Sequence, residues 1–291
     1  MKGHEIVKIF DTHVHTGNPR LKIDAVLRNM DANGMTRLAL IAPHSMKKNW
    51  YDIRRKTRPA EINALLRRII AAEGDACNRC VAALAKKSRG RIIALARVDQ
   101  LADDAPDMLG RARDMGCTGL KLFNFGHFPD DERCFPTYEA CQKLGMNILF
   151  HTGILGDGRN SRFHKPVNLE IMKNWPRVRC LLAHISWPWT DECIATVGMC
   201  VHFDRTSKPQ LVVDITPGAP AAWREDAVMK AYTYLGADAV VFGSDNRSDG
   251  PTYGKQVFES YRAIFRKHRV PEKVQEQVFY GNAMKFWKLK D

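Results

Sequence analysis

Several things are missing from this 291-residue chain, and each absence closes a class of function. No apolar run approaches the roughly 20 residues that cross a bilayer, so no membrane partner is expected. Residues 1–5 lead straight into an apolar stretch, which leaves no length for a secretory leader and predicts a cytoplasmic protein. The eight cysteines are scattered, which fits reduced thiols. The only C-x-x-C, Cys77-Asn78-Arg79-Cys80, lies in a helical pattern without a second pair at zinc-finger spacing. A formal charge of +13 invites a nucleic-acid reading, yet no helix-turn-helix, zinc finger or aromatic RNA-binding motif accompanies it. The surplus falls on helix faces such as Arg67-Arg68, Lys86-Lys87 and Lys285 to Lys290, where solvation explains it. Nucleic acid is therefore not the expected partner.

What is present is concentrated at Asp11-Thr12-His13-Val14-His15, the end of a short apolar strand. Side chains alternate faces along a strand, so His13 and His15 point the same way. Two neutral imidazoles on one face can grip a divalent metal. An isolated H-x-H is equally compatible with two unrelated loop histidines, and the rest of the chain has to decide.

Seven more β-rich runs follow the first, Val7 to Phe10: Arg37 to Ala42, Arg91 to Val98, Gly119 to Phe123, Asn147 to Phe150, Val178 to Ala183, Leu211 to Ile215 and Ala239 to Phe242. Amphipathic segments lie between them, among them Asp24 to Asn33, Asp104 to Met115, Thr137 to Leu144, Asp191 to Met199 and Arg224 to Leu235. Gly34, Gly116, Gly145 and Gly236 stand where helices should stop. Eight near-continuous apolar strands alternating with helices predict an α/β fold, a (β/α)8 barrel, and the length suits one domain over residues 1–291. A doubly wound sheet would carry a glycine-rich phosphate turn after its first strand, and this chain does not. The polar residues fall where barrel enzymes keep their chemistry, at strand C-terminal ends. His13 and His15 end the first strand, Lys121 lies on the fourth, His151 ends the fifth, His184 the sixth and Asp245 follows the eighth.

In these motifs the chain resembles the amidohydrolase superfamily, specifically its amidohydrolase-2 branch of aminocarboxymuconate-semialdehyde decarboxylase-like proteins. The matching pieces are Asp11 to His15, Gly119 to Leu122, Phe150 to Gly153, Ala183-His184 with Trp187 to Thr190, Phe242 to Asp245 and Gly281 to Ala283. The resemblance implies a distorted barrel holding one divalent ion, with zinc the expected metal. It implies His13, His15, His151 and Asp245 as ligands, with His184 and Asp245 catalytic. Three imidazoles and one carboxylate leave a position open for water or substrate. In two-metal members of the wider superfamily a carboxylated lysine at the place of Lys121 bridges the ions; the branch implies a single ion here. Many members have a glycine-rich turn after the sixth-strand histidine, whereas this chain reads Ile185-Ser186-Trp187.

The expected activity is a metal-dependent hydrolase that turns a metal-bound water on an amide, lactone or related bond. The alternative is non-oxidative decarboxylation of an unsaturated or aromatic carboxylic acid, since the branch contains both. The catalytic-face loops are basic (Lys47, Lys48, Arg54, Arg55, Lys56, Arg58, Arg159, Arg162, Lys165, Arg224 and Arg247) and rich in tryptophan (Trp50, Trp187, Trp189 and Trp223). Arginine forks bind carboxylates, so a small anionic substrate is expected, with Lys121, Arg54, Arg162 and Trp187 as its contacts. Solvated loop charge is the competing explanation. Nothing in the sequence fixes an oligomeric state, and a homo-oligomer is compatible with it.

Overall fold

The computed structural model describes residues 7–203, 209–250 and 253–290; residues 1–6, the lead into the first strand, lie outside the described residues. Nine parallel strands form one curled sheet in the order β8-β7-β6-β5-β4-β3-β2-β1-β9. They are β1 (Phe10–His15), β2 (Arg37–Ile41), β3 (Ile92–Ala96), β4 (Cys117–Leu122), β5 (Asn147–Phe150), β6 (Cys180–Leu182), β7 (Leu211–Asp214), β8 (Val240–Val241) and β9 (Asn246–Arg247). All eight expected strands form. The first is displaced: it starts at Phe10 and carries both histidines within it, because β2 on one side and β9 on the other extend its ladder.

The eighth strand explains the distortion. β8 and β9 are two halves of one strand, interrupted at residues 242–245. The first half pairs with β7 through Val213 and Val240, and the second pairs with β1 through Val14 and Asn246. Between them Thr12 donates its N–H to the Phe242 carbonyl at 3.2 Å and its hydroxyl to the same oxygen at 2.7 Å. Asp11 accepts from the N–H and the hydroxyl of Ser244 at 2.9 and 2.5 Å. The sheet thereby closes on itself, with side chains in place of part of the ladder.

Helices α1 (Ile23–Ala32), α4 (Ala105–Met115), α5 (Phe135–Leu144), α6 (Thr190–Gly198) and α7 (Ala221–Leu235) fall within a few residues of the amphipathic segments. Gly116 and Gly145 end α4 and α5 in the left-handed conformation. The short α2 (Trp50–Lys56) and the long α3 (Ile62–Lys87) separate β2 from β3, and α8 (Tyr253–Lys267), α9 (Glu272–Glu276) and α10 (Asn282–Phe286) follow β9. After β5 the connection is 3-10 turns at Ser161–His164 and Pro166–Asn174 in place of an α-helix. No helix of the described residues is long and apolar enough to cross a membrane.

β3, β5, β6 and β7 are buried along their whole length, as strands covered on both faces must be. Packing at the closed end of the sheet is tight at Gly119 of β4. A Cβ there would stand 2.4 Å from the Trp287 ring and 2.8 Å from Leu95. Gly119→Ala is therefore expected to cost about 1–3 kcal/mol of stability through overpacking, read as a lower denaturant midpoint at unchanged slope. An unshifted midpoint would show that the Trp287 ring can move aside freely.

Candidate active site

Each candidate residue reaches the site from the C-terminal end of a strand. His13 and His15 project from β1 with ring centroids 5.2 Å apart. Asp245, in the gap between β8 and β9, has a left-handed backbone with φ of 56°. That turn aims its carboxylate at β1, where Oδ1 lies 3.0 Å from His15 Nε2 and 3.4 Å from His13 Nε2. One ligand atom from each of these three residues falls within 4.8 Å of the other two, and no other such group of histidine, cysteine and acidic side chains occurs among the described residues.

His151 and His184 stand beside this trio. The His184 ring lies between the others, 5.3 Å from His13 and 5.2 Å from His151. His151 is buried against Phe123, the rings stacked at 5.2 Å, and its Nε2 has no hydrogen-bond partner. A buried imidazole nitrogen without a partner is costly, and it is the state expected of a ligand lone pair waiting for a cation. The donor set of His13, His15 and Asp245 therefore fits a divalent ion, while His151 falls outside that close group, on the far side of the His184 ring.

Two further residues that the sequence did not single out orient these rings. Asp214, at the end of β7, accepts from His13 Nδ1 at 2.8 Å. With its proton on Nδ1, His13 presents a bare Nε2 to the trio. The other Asp214 oxygen accepts from the N–H of Thr216 at 2.5 Å, and the Thr216 hydroxyl is 2.8 Å from His184 Nδ1. One carboxylate thus sets both imidazoles through a chain His13–Asp214–Thr216–His184. A polar residue closing an apolar strand was the available signal, since Asp214 follows Leu211-Val212-Val213.

Burial lowers the pKa of His13, His15, His151 and His184, aided at His13 by the charge of Lys121 and at His151 by that of His164. All four are neutral at neutral pH, as metal ligation requires. Burial works to raise the pKa of Asp245, but the surrounding imidazoles outweigh it and hold the group well below the usual carboxylate range. Lys121 is fully buried with Nζ 3.3 Å from His13 Nε2, and burial pushes its pKa down.

The turn after β6 is strained. His184, Ile185 and Ser186 have φ of 65°, 45° and 52°, in the region glycine occupies without penalty and a β-branched residue avoids. This is where the sequence departs from a glycine-rich turn. The His184 N–H donates to Thr216 at 3.1 Å, and Trp187 and Trp189 close turns back onto His184 and Ser186. Gly218 makes room, since a Cβ there would lie 2.5 Å from that of His184.

The trio opens into a cavity of about 410 Å³ lined by His15, His44, Trp50, Phe123, His151, His184, Trp187 and Asp245 among others, with Lys48, Arg54 and Arg247 contributing positive charge. Of the four expected substrate contacts, Trp187 and Arg54 line this cavity. The other two expected contacts are not among the cavity-lining residues. Arg162 is exposed and lies over the Phe163 ring at 4.6 Å, because Phe163 takes the inward position on that turn. Lys121 is buried beside the trio, with Nζ 3.3 Å from His13 Nε2 and 4.9 Å from the Phe123 ring centroid, and is not among the cavity-lining residues.

Comparison with known proteins agrees with this fold. The profile of the family described as amidohydrolase, amidohydrolase-2 type, matches residues 10–289. No curated protein matches the sequence. Among solved structures, a 5-carboxyvanillate decarboxylase from Novosphingobium aromaticivorans, complexed with manganese and 4-hydroxy-3-methoxy-5-nitrobenzoic acid, superposes with a TM-score of 0.65 at 16% identity, covering 99% of this chain and 98% of that one. A 2,6-dihydroxybenzoate decarboxylase from Rhizobium gives 0.63 at 15%, covering 97% and 98%. A probable 2-pyrone-4,6-dicarboxylic acid hydrolase from Acinetobacter baumannii, with citric acid bound, gives 0.63 at 13%, covering 97% and 100%.

Replacing Asp214 by Asn keeps the shape but can leave His13 with the wrong tautomer. Affinity for a divalent ion is expected to fall about 10–100-fold, measured by competition with a chromogenic chelator. Wild-type affinity in this variant would mean that His13 is oriented by packing alone.

Proposed function

The chain belongs to the amidohydrolase family, and from that premise we propose that it is a metal-dependent hydrolase of a small carboxylate-bearing substrate, with His13, His15, His151 and Asp245 holding one divalent ion. The observation that carries this reading is the convergence of three ligand atoms beside the unpartnered Nε2 of His151, at the floor of a cavity with a positive rim. A divalent ion in that position supplies a Lewis acid and water acidified to a pKa of about 7. The imidazole-rich set suits zinc, while manganese is the ion named with the carboxyvanillate decarboxylase. Eight free cysteines accord with a cytoplasmic enzyme.

The protein's own groups divide the remaining work. Asp245 is ionised and borders the cavity, so it accepts the proton released when water attacks the substrate. His184, turned toward the cavity by its left-handed backbone and held through Thr216, takes up that proton from Asp245 and passes it to the leaving group, so both residues end as they began. Lys48 and Arg54 draw the substrate's carboxylate to the rim; neither forms an ion pair among the described residues, whereas Arg247 is paired with Asp249 at 3.0 Å. Trp187 offers a flat wall.

Decarboxylation of an aromatic acid is the second reading. It is favoured by the parallel stack of His44 and Trp50, centroids 4.2 Å apart, which with Phe123 shapes the cavity for a flat ring. In that reaction the bond from ring to carboxylate breaks, carbon dioxide leaves, and the ring carbon takes up a proton in its place. Incubating the metal-loaded protein with small lactones, amides and hydroxybenzoates, and following both acid production and carbon dioxide release, decides between them.

The ligand assignment predicts that His13→Ala and His151→Ala lose both bound metal and turnover, with elemental analysis as the check. Full activity of metal-free protein would refute it. His184→Asn is expected to keep stoichiometric metal while kcat falls about 10²–10⁴-fold. Loss of metal from that variant would instead make His184 a ligand, and point to a second ion near Lys121. Arg54→Ala is expected to raise KM about 10-fold, and Arg162→Ala to leave it unchanged.

A further inference from the structure

Arg97 follows β3, is buried to 4% exposure, and pairs with no carboxylate among the described residues. Its backbone is fixed by Asn78, which accepts from the Arg97 N–H at 2.8 Å and donates to its carbonyl at 3.1 Å. The guanidinium lies 4.8 Å from the Phe123 ring centroid. Nε donates to the Ala42 carbonyl at 2.7 Å, Nη1 lies 2.9 Å from His44 Nδ1, and Nη2 is buried without a partner. Burying an arginine without a counter-ion costs far more than its two hydrogen bonds return. Nothing in the metal cluster accounts for it.

The direction of the contact with His44 is fixed by chemistry. A guanidinium has only donors, so Nδ1 of His44 must be the acceptor. A neutral imidazole that accepts at Nδ1 carries its proton on Nε2. His44 lines the cavity, its ring stacked on Trp50, while Arg97 lies behind it and does not line the cavity. The loop that carries His44 is built as firmly. Glu73 accepts from the Ser45 hydroxyl at 2.9 Å and from the Met46 N–H at 2.7 Å, and the Ser45 oxygen accepts from the N–H groups of Lys47 and Lys48 at 3.0 Å.

We infer that His44 is a substrate-positioning residue whose Nε2–H donates to a carboxylate oxygen of the substrate, and that Arg97 is present to hold that tautomer. This rests on the reading of the substrate as a carboxylate. The buried charge of Arg97 strengthens the donor at its far side, and the plane shared with Trp50 aligns an aromatic or unsaturated acid against it. Arg97 acts through His44 and touches no substrate. The arrangement explains why a histidine and an uncompensated arginine occur together beside a site that uses neither as a ligand.

The test uses the metal-loaded protein, with benzoate and 4-hydroxy-3-methoxy-5-nitrobenzoate as probes for titration, and nitrogen NMR of the histidine rings. The wild type is expected to show His44 protonated on Nε2 and bare at Nδ1. His44→Phe, which keeps the stack and removes the donor, is expected to weaken probe binding about 10-fold or more at unchanged metal content. His44→Gln, which restores an N–H, should recover most of that loss. Arg97→Met should give a mixture of His44 tautomers and weaker binding, and if it proves poorly folded, the His44 variants and the wild-type tautomer still decide. Binding to His44→Phe within about twofold of wild type, or a His44 proton found on Nδ1, overturns the inference while the carboxylate reading stands. A wild-type protein that binds neither probe overturns that reading, and this inference with it.

Discussion

The site depends on how the sheet closes. β1 cannot pair with an unbroken eighth strand, because the chain leaves the sheet after Val241 and returns at Asn246. Asp11 and Thr12 bridge that gap, the first through Ser244 and the second through the Phe242 carbonyl. The interruption frees Asp245 from the ladder, so its backbone can turn left-handed and its carboxylate can face two histidines on the neighbouring strand. A regular strand would alternate its side chains past β1 and deliver no carboxylate at this depth. The metal-type cluster is thus a product of imperfect closure, and Asp11, which helps to close the sheet, also accepts from the His13 N–H at 3.2 Å.

A second constraint acts on the opposite wall. Three consecutive residues with positive φ, one of them isoleucine, store strain of about 1–3 kcal/mol each unless the surroundings over-determine them. Here they are over-determined. Thr216 holds the His184 N–H and ring, the tryptophan turns hold the far end, and Gly218 yields the space. The return for that strain is position: it turns the His184 ring between those of His13 and His151. Since Asp214 supports Thr216 as well as His13, a change at β7 is felt on both sides of the site.

Much of this could be read from the sequence, for a physical reason. In a barrel, strand ends converge, so a histidine or aspartate closing an apolar run is placed by topology alone. His13, His15, His151, His184 and Asp245 were legible in that way. Asp214 obeys the same rule, but one carboxylate after three apolar residues is a weak signal beside paired histidines. Loop residues follow no such rule. Arg54 and Trp187 reach the cavity and Arg162 does not, and the difference lies in which neighbour on a 3-10 turn takes the buried place. Lys121 lies within β4, so its Nζ reaches His13 Nε2 and stays buried beside the trio instead of lining the cavity. Arg97 and His44 carry no sequence signal, because neither is unusual until folding buries the guanidinium without a carboxylate.

Charge illustrates the same distinction between amount and place. The net +13 says little about function, since most of it is spread over solvated helix faces. The informative cations are two that are buried, Lys121 and Arg97, both with pKa values pushed down by burial, Arg97 to about 9. Folding leaves them near a cavity whose rim adds Lys48 and Arg54, and among the described residues neither Lys121 nor Arg97 forms an ion pair with a carboxylate. In a low-dielectric wall such charges are poorly screened, and their field acts across the cavity in a way that surface lysines cannot. Of the two, Arg97 is the costlier to bury, since one of its guanidinium nitrogens has no partner and no carboxylate among the described residues offsets its charge.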